Sequence, residues 1–230
     1  MTAPFDERLI EELPDDIFRA VCQLVRDYCG MNFEGDSKFI VHKRLVKRMM
    51  ALQIDDFQKY YYHLLYDRES HKELETLIES LTTAETYFFR EMNQLRAFTD
   101  EILPEIIAAR DSKETRPVKI WSAGCASGEE PYTLAMLLLE KRLTGEAPFD
   151  IYATDLNRSL IQRARLGVYR ENSFRMTDEH HRLKYFDRHD ERTLRIKDEV
   201  KRMVTFGWVN LYDDARSMVF GAVDVIFCRN

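Results

Sequence analysis

At 230 residues, 45% hydrophobic and 32% charged with few Gly and Pro, the chain can bury one large core or two smaller ones, which excludes a disordered or fibrous protein. A formal charge of −6 argues against a protein that coats nucleic acid, and no run approaches the ~20 apolar residues of a membrane span. The acidic start MTAPFDERLIEELPDD has no apolar core, and Cys22, Cys29, Cys125 and Cys228 form no C-x-x-C pair, so a cytoplasmic protein with free thiols and no metal site is expected.

The first third reads as consecutive short helices. Ile17, Val21, Leu24, Val25 and Tyr28 recur at helical spacing after Pro14, and Gly30 supplies a stop. The next helix is expected to be capped at Asp36-Ser37 and to bury a stripe of Ile40, Leu45, Met49 and Leu52. Its other face carries Lys43, Arg44, Lys47 and Arg48, with no carboxylate between Ser37 and Ile54. Two further helices follow, DDFQKYYYHLLY and ESHKELETLIESL, and no strand is read before residue 82.

Beyond TTAETYFFRE a longer helix is expected from Asn93 to about Arg110, bent at Pro104. Then the pattern changes. VKIWSAG, FDIYATD, TFGWVNL and DVIFCRN are apolar runs separated by helices such as PYTLAMLLLEKRL and NRSLIQRARL, which implies a parallel sheet of the Rossmann type. The insert between the second and third runs, Val168 to Val204, is read as a small subdomain with a helix around TDEHHRLKYF and an antiparallel pairing of RTLRI with VKRMV.

Ligands of such sheets lie beyond the C-terminal strand ends, which brings together Gly124 to Glu130, Asp155, Asn210-Leu211 and Arg229-Asn230. The loop is G-x-x-x-G rather than G-x-G-x-x-G, and Glu129 and Glu130 after it would repel a pyrophosphate. Asp155 suits the two hydroxyls of a ribose. A nucleoside with positive charge and no phosphate satisfies both features, and S-adenosylmethionine, with its ammonium and sulfonium, is such a ligand. A dinucleotide oxidoreductase is disfavoured by the Glu pair, and a nucleic-acid methyltransferase by Cys228-Arg229-Asn230 where an Asn/Asp-Pro-Pro-aromatic strand end would stand.

LTTAETYFFRE, WSAGCASGEEPYTLAM, IYATDLNRSLIQRARLGVYR, VNL and IFCRN, in this order, closely resemble the CheR-type chemotaxis receptor methyltransferases. The resemblance implies a Rossmann-like α/β methyltransferase domain over 93–230 with a small antiparallel β-subdomain insert at about 168–204, an all-α receptor-docking domain over 1–81, and a linker over 82–92 that contributes to the cofactor site. It implies transfer of a methyl group from S-adenosylmethionine to glutamates on the cytoplasmic helices of chemoreceptors, leaving S-adenosylhomocysteine. The alternative is a non-catalytic module of the same fold that holds cofactor or receptor.

By position, the resemblance gives Thr86 and Arg90 cofactor contacts, with Arg90 also facing the methyl-transfer point. Glu130, assisted by Glu129, holds the methionine end, Asp155 the ribose, Asn210-Leu211 the adenine, and Arg229-Asn230 close the site. Phe88 and Phe89 are read as packing residues. A glutamate carboxylate is already ionised at neutral pH, so no general base is required, and Arg90 is expected to grip it. Lys43, Arg44, Lys47 and Arg48 would steer the acidic receptor helices. Ala84 stands where the family usually has Asn, and the family continues past FCRN through a Tyr and further strands, so the sheet is expected to lack its last strands. Absence of glycine between Gly167 and Gly207 points to a form that needs no receptor tether peptide, and a monomer is expected.

Overall fold

Four helices with one apolar stripe each can bury those stripes only against one another, and in the computed structural model they do so as a unit covering residues 1–83. The structure describes residues 12–111, 115–141, 143, 147–213 and 221–229. Helix α1 (Asp15–Cys29) follows Pro14 and stops at Gly30, whose φ of 76° gives the left-handed turn that closes the last carbonyl. It is followed by α2 (Lys38–Leu52), α3 (Phe57–Tyr66) and α4 (Ser70–Leu81). Asp56 caps α3 by accepting from the Lys59 N–H at 2.8 Å.

The register of α2 corrects the expected stripe. A 3₁₀ turn, Gly35–Ser37, leads into the helix, and Ser37 makes no side-chain cap. Val41, Leu45 and Met49, spaced four apart, are the buried residues, whereas Ile40 and Phe39 are exposed. Arg48 flanks that stripe and turns inward. Its Nε and Nη2 donate to the two oxygens of Glu73 at 2.9 and 2.6 Å, and the Tyr60 hydroxyl donates to the same carboxylate at 2.7 Å. Burial and Glu73 together push the Tyr60 phenol well up, so it remains a donor. Arg48 is therefore an internal cross-link rather than part of the outward basic face.

The second unit, residues 84–230, is built on a four-stranded parallel sheet. Its strands are β1 (Val118–Ala123), β2 (Phe149–Asp155), β6 (Val204–Trp208) and β7 (Val225–Cys228). Helix α7 (Glu129–Glu140) connects β1 to β2, and α8 (Arg158–Leu166) follows β2, starting at Asn157, whose side chain accepts from the Leu160 N–H. Strand β1 is buried along nearly its whole length, as expected for a strand with neighbours on both edges and helices on its faces.

The long helix expected over 93–110 is interrupted. Helix α5 (Met92–Ala97) passes into a π-helical turn, Phe98–Ile102, before α6 (Leu103–Ala108). Pro104 lacks an N–H, and its ring would clash with the carbonyl four residues back, so the widened turn lies where the bend was expected.

The insert contains β3 (Val168–Arg170), a 3₁₀ turn at Glu171–Phe174, α9 (Glu179–Tyr185), β4 (Phe186–Arg188) and β5 (Thr193–Ile196), forming an antiparallel sheet β3-β5-β4. The expected pairing of RTLRI with VKRMV is overturned. Asp198–Lys201 forms a helical turn, α10, started by two acidic residues, and Val204 already belongs to β6 of the main sheet. The partners of β5 are β3 and β4.

Candidate active site

All four parallel strands point the same way, so the residues following each one meet at a single edge. The chain leaves β1 for a neighbour on one side, β2, and returns later to the other side as β7, which opens the crevice between them.

The loop after β1 is bonded to the end of β2 and, at one point, to itself. The N–H groups of Gly124 and Cys125 donate to the Thr154 carbonyl at 2.8 and 2.9 Å, and that of Gly128 donates to the Cys125 carbonyl at 3.0 Å. The Ala126 N–H donates to Asp155 Oδ2 at 2.8 Å, with Ala126 held at φ 47°. Phosphate-binding loops aim these groups outward at the ligand. Here they are already occupied, and the local field is negative. Burial pushes the Cys125 thiol well up, and Asp155, Glu130 and Glu129 push it further. The loop thus suits a ligand with hydroxyls and positive charge, and opposes a pyrophosphate.

Gly128 makes the turn possible. At φ 93° a Cβ would lie 2.8 Å from the Ala164 Cβ and 3.2 Å from the Phe206 ring. Gly128→Ala is expected to combine a left-handed backbone penalty with overpacking, for a loss of about 3 kcal/mol in unfolding free energy by urea titration.

The two glutamates part company, because adjacent helical residues do not share a face. Glu129 is buried, with Oε2 accepting from Ser127 Oγ at 2.8 Å and Oε1 from Ser173 Oγ at 2.9 Å. It ties the loop to the insert, assisted by the Tyr169 hydroxyl, which donates to the Ser127 carbonyl at 2.8 Å. The two glutamates, expected together on one ligand, differ in their protein partners. Glu130 faces the crevice edge instead, accepting from Ser122 Oγ at 2.7 Å and from Arg229 Nε at 2.6 Å. Arg229 also donates to the Arg90 carbonyl at 3.1 Å. Asn230 lies outside the described residues.

Asp155, at the end of β2, accepts from the Asn157 N–H through Oδ1 at 2.8 Å as well as from Ala126. Asn210 is buried and accepts from the Tyr212 N–H at 3.1 Å, while Leu211 is exposed at the rim.

The segment from Ala84 to Glu91 is fixed against this unit by its two phenylalanines. The Phe88 N–H donates to the Ser173 carbonyl and the Phe89 N–H to Thr133 Oγ1. The Phe88 ring is fully buried between Tyr169, Phe174 and Phe186, with centroids 4.8 to 5.2 Å away, which is the packing role expected of it. Phe89 and Glu91 both have left-handed backbones, φ 60° and 56°, a cost of roughly 1–2 kcal/mol each that the surrounding contacts offset. Between them Arg90 presents its side chain. Its guanidinium donates to the Glu85 carbonyl and lies 5.6 Å from the Tyr87 ring centroid, and among the described residues no carboxylate pairs with it. Thr86, half-buried, precedes this turn.

The residues not foreseen are hydroxyls: Ser122, Thr133 and Ser173. Only Ser122 carried a signal, as a polar residue inside the apolar run VKIWSAG. Among the described residues no cluster of metal-ligating side chains occurs, and no helix is long and apolar enough to cross a membrane.

Residues 84–230 match the family model described as the CheR methyltransferase SAM binding domain, and residues 16–82 match that of the CheR methyltransferase all-alpha domain. Curated relatives include chemotaxis protein methyltransferase 2 of Vibrio cholerae, 34% identical over 89% of this chain and 72% of the relative. Chemotaxis protein methyltransferases of Borreliella burgdorferi (32% identical, 94% of this chain, 76% of the relative) and Escherichia coli (33%, 95% and 73%) are similar to the same extent.

Proposed function

Because this chain belongs to the CheR methyltransferase family it is an S-adenosylmethionine-dependent methyltransferase, and we propose that it methylates glutamate γ-carboxylates on the cytoplasmic helices of chemoreceptors. In this reading Asp155 accepts the ribose hydroxyls and Glu130, with Arg229 beside it, holds the ammonium of the methionine end. Asn210 and Leu211 border the adenine, and Thr86 contributes from the linker. The loop's occupied N–H groups and surrounding carboxylates support a cationic, phosphate-free nucleoside here.

When bound, the cofactor supplies a sulfonium methyl, so that a carboxylate lone pair forms the C–O bond while the C–S electron pair stays on sulfur and no proton moves. The chain's task is to present the carboxylate in line and stripped of water. The observation that carries the glutamate assignment is Arg90, a guanidinium with no carboxylate partner among the described residues, on a turn whose backbone is fixed by Phe88 and Phe89. A planar guanidinium binds a carboxylate while keeping it ionised. Arg90→Ala is expected to lower kcat/KM for receptor methylation at least about a hundredfold, with partial recovery in Arg90→Lys. An unchanged rate would remove Arg90 from the chemistry. Receptor docking falls to Lys43, Arg44 and Lys47, since Arg48 is engaged by Glu73.

A further inference from the structure

Arg90 is not the only guanidinium at this turn. Arg175, immediately after the 3₁₀ turn Glu171–Phe174 of the insert, places its Cζ 3.6 Å from the centroid of the same Tyr87 ring that lies 5.6 Å from the Arg90 Cζ. Two cations therefore share one aromatic ring beside the proposed transfer point, in a chain whose net charge is −6. Glu85 joins them. Its carbonyl accepts from Arg90, and its carboxylate accepts from Arg175 Nη2 at 2.8 Å.

That carboxylate is loosely held. The Glu85 side chain is 74% exposed and that of Arg175 34%, so this is a surface ion pair, of the kind whose members exchange readily for another carboxylate. The contact with the Tyr87 ring is separate from that with Glu85, so Arg175 keeps one of its two partners when the carboxylate departs. Met176, 61% exposed, lies next to it and offers an apolar contact for an incoming helix.

We propose that Arg175, stacked on Tyr87, is a substrate-recognition residue that binds a second carboxylate of the acidic target helix, near the one being methylated, and that Glu85 occupies this position until the substrate displaces it. The inference rests on the glutamate reading given above. It assigns the insert a direct part in choosing acidic sequence around the modified residue. It also separates two arginine roles: Arg90 faces the reacting carboxylate, and Arg175 a neighbouring one.

The test is steady-state methylation of a receptor cytoplasmic fragment by the full chain and by Arg175→Ala, Arg175→Lys and Glu85→Gln, with S-adenosylhomocysteine affinity measured for each by calorimetry. Arg175→Ala is expected to raise KM for the receptor about tenfold, the loss of one charge-assisted contact, with kcat and S-adenosylhomocysteine affinity within twofold. Arg175→Lys should recover part of the loss, and Glu85→Gln should lower KM by removing the competitor. Unchanged KM in Arg175→Ala, with wild-type turnover intact, would overturn this inference alone, as would a parallel fall in S-adenosylhomocysteine affinity, which marks a merely structural role. Absence of ester formation by the wild type would overturn the glutamate reading and this inference together.

Discussion

Asp155→Ala is expected to weaken S-adenosylhomocysteine binding by about a hundredfold or more in titration calorimetry. Two losses combine. The proposed ribose contacts are hydrogen bonds to a charged acceptor, each contributing about 1.5–3 kcal/mol, and the Ala126 N–H that Asp155 now satisfies at 2.8 Å would be released inside the loop. Ala126 sits at φ 47°, a conformation disfavoured for a residue other than glycine. Asp155→Asn retains one acceptor oxygen and is expected to fall between, about tenfold weaker than wild type. NAD is expected not to bind, because its pyrophosphate would meet Glu130 and a loop whose N–H groups point elsewhere. Affinity for S-adenosylhomocysteine within threefold of wild type in Asp155→Ala would place the ribose somewhere else.

The second large effect lies in the helical unit. Arg48→Ala is expected to cost that unit about 3 kcal/mol, because among the described residues it leaves the Glu73 carboxylate, 5% exposed, with only the Tyr60 hydroxyl. Both tryptophans, Trp121 and Trp208, are in the second unit, so their fluorescence reports that unit alone. In urea, the variant should show a far-ultraviolet circular dichroism transition shifted to lower denaturant while the tryptophan transition stays in place. Arg48→Met with Glu73→Gln removes the buried charges as a pair and should regain most of the stability. By contrast, reversing Lys43, Arg44 and Lys47 to Glu should alter stability little, yet raise KM for receptor and abolish its salt dependence. Equal destabilisation by both sets would contradict the separation of Arg48 from its neighbours.

That separation shows where sequence reading reaches its limit. Periodicity located α2 and two residues of its buried stripe, Leu45 and Met49, but it cannot say which of four basic residues turns inward; the deciding partner, Glu73, is 25 positions away. The signal available was that Arg48 lies three residues after Leu45 and one before Met49, on the flank of the buried stripe. The same limit applies to Glu129 and Glu130. Their shared position after the glycine loop suggested one ligand, whereas the 100° step between adjacent helical residues sends Glu129 to Ser127 and Ser173 and Glu130 to Ser122 and Arg229. The parallel strands were legible because they are apolar runs separated by helices and glycine turns. VKRMV was not, because a five-residue run with two basic residues between apolar ones fits a strand edge and a helical turn alike, and Asp198-Glu199 decided for the helix.

The central claim is that a methyl ester forms on a glutamate. Its most direct test incubates the full chain with methyl-labelled S-adenosylmethionine and a receptor cytoplasmic fragment, then treats the labelled receptor with alkali. Carboxyl methyl esters hydrolyse and release volatile methanol, whereas methylated amines keep their label. Label that is lost completely in alkali and maps to glutamate-containing peptides is the predicted result. Label that survives alkali, or none at all from a chain that still binds S-adenosylhomocysteine, would contradict it.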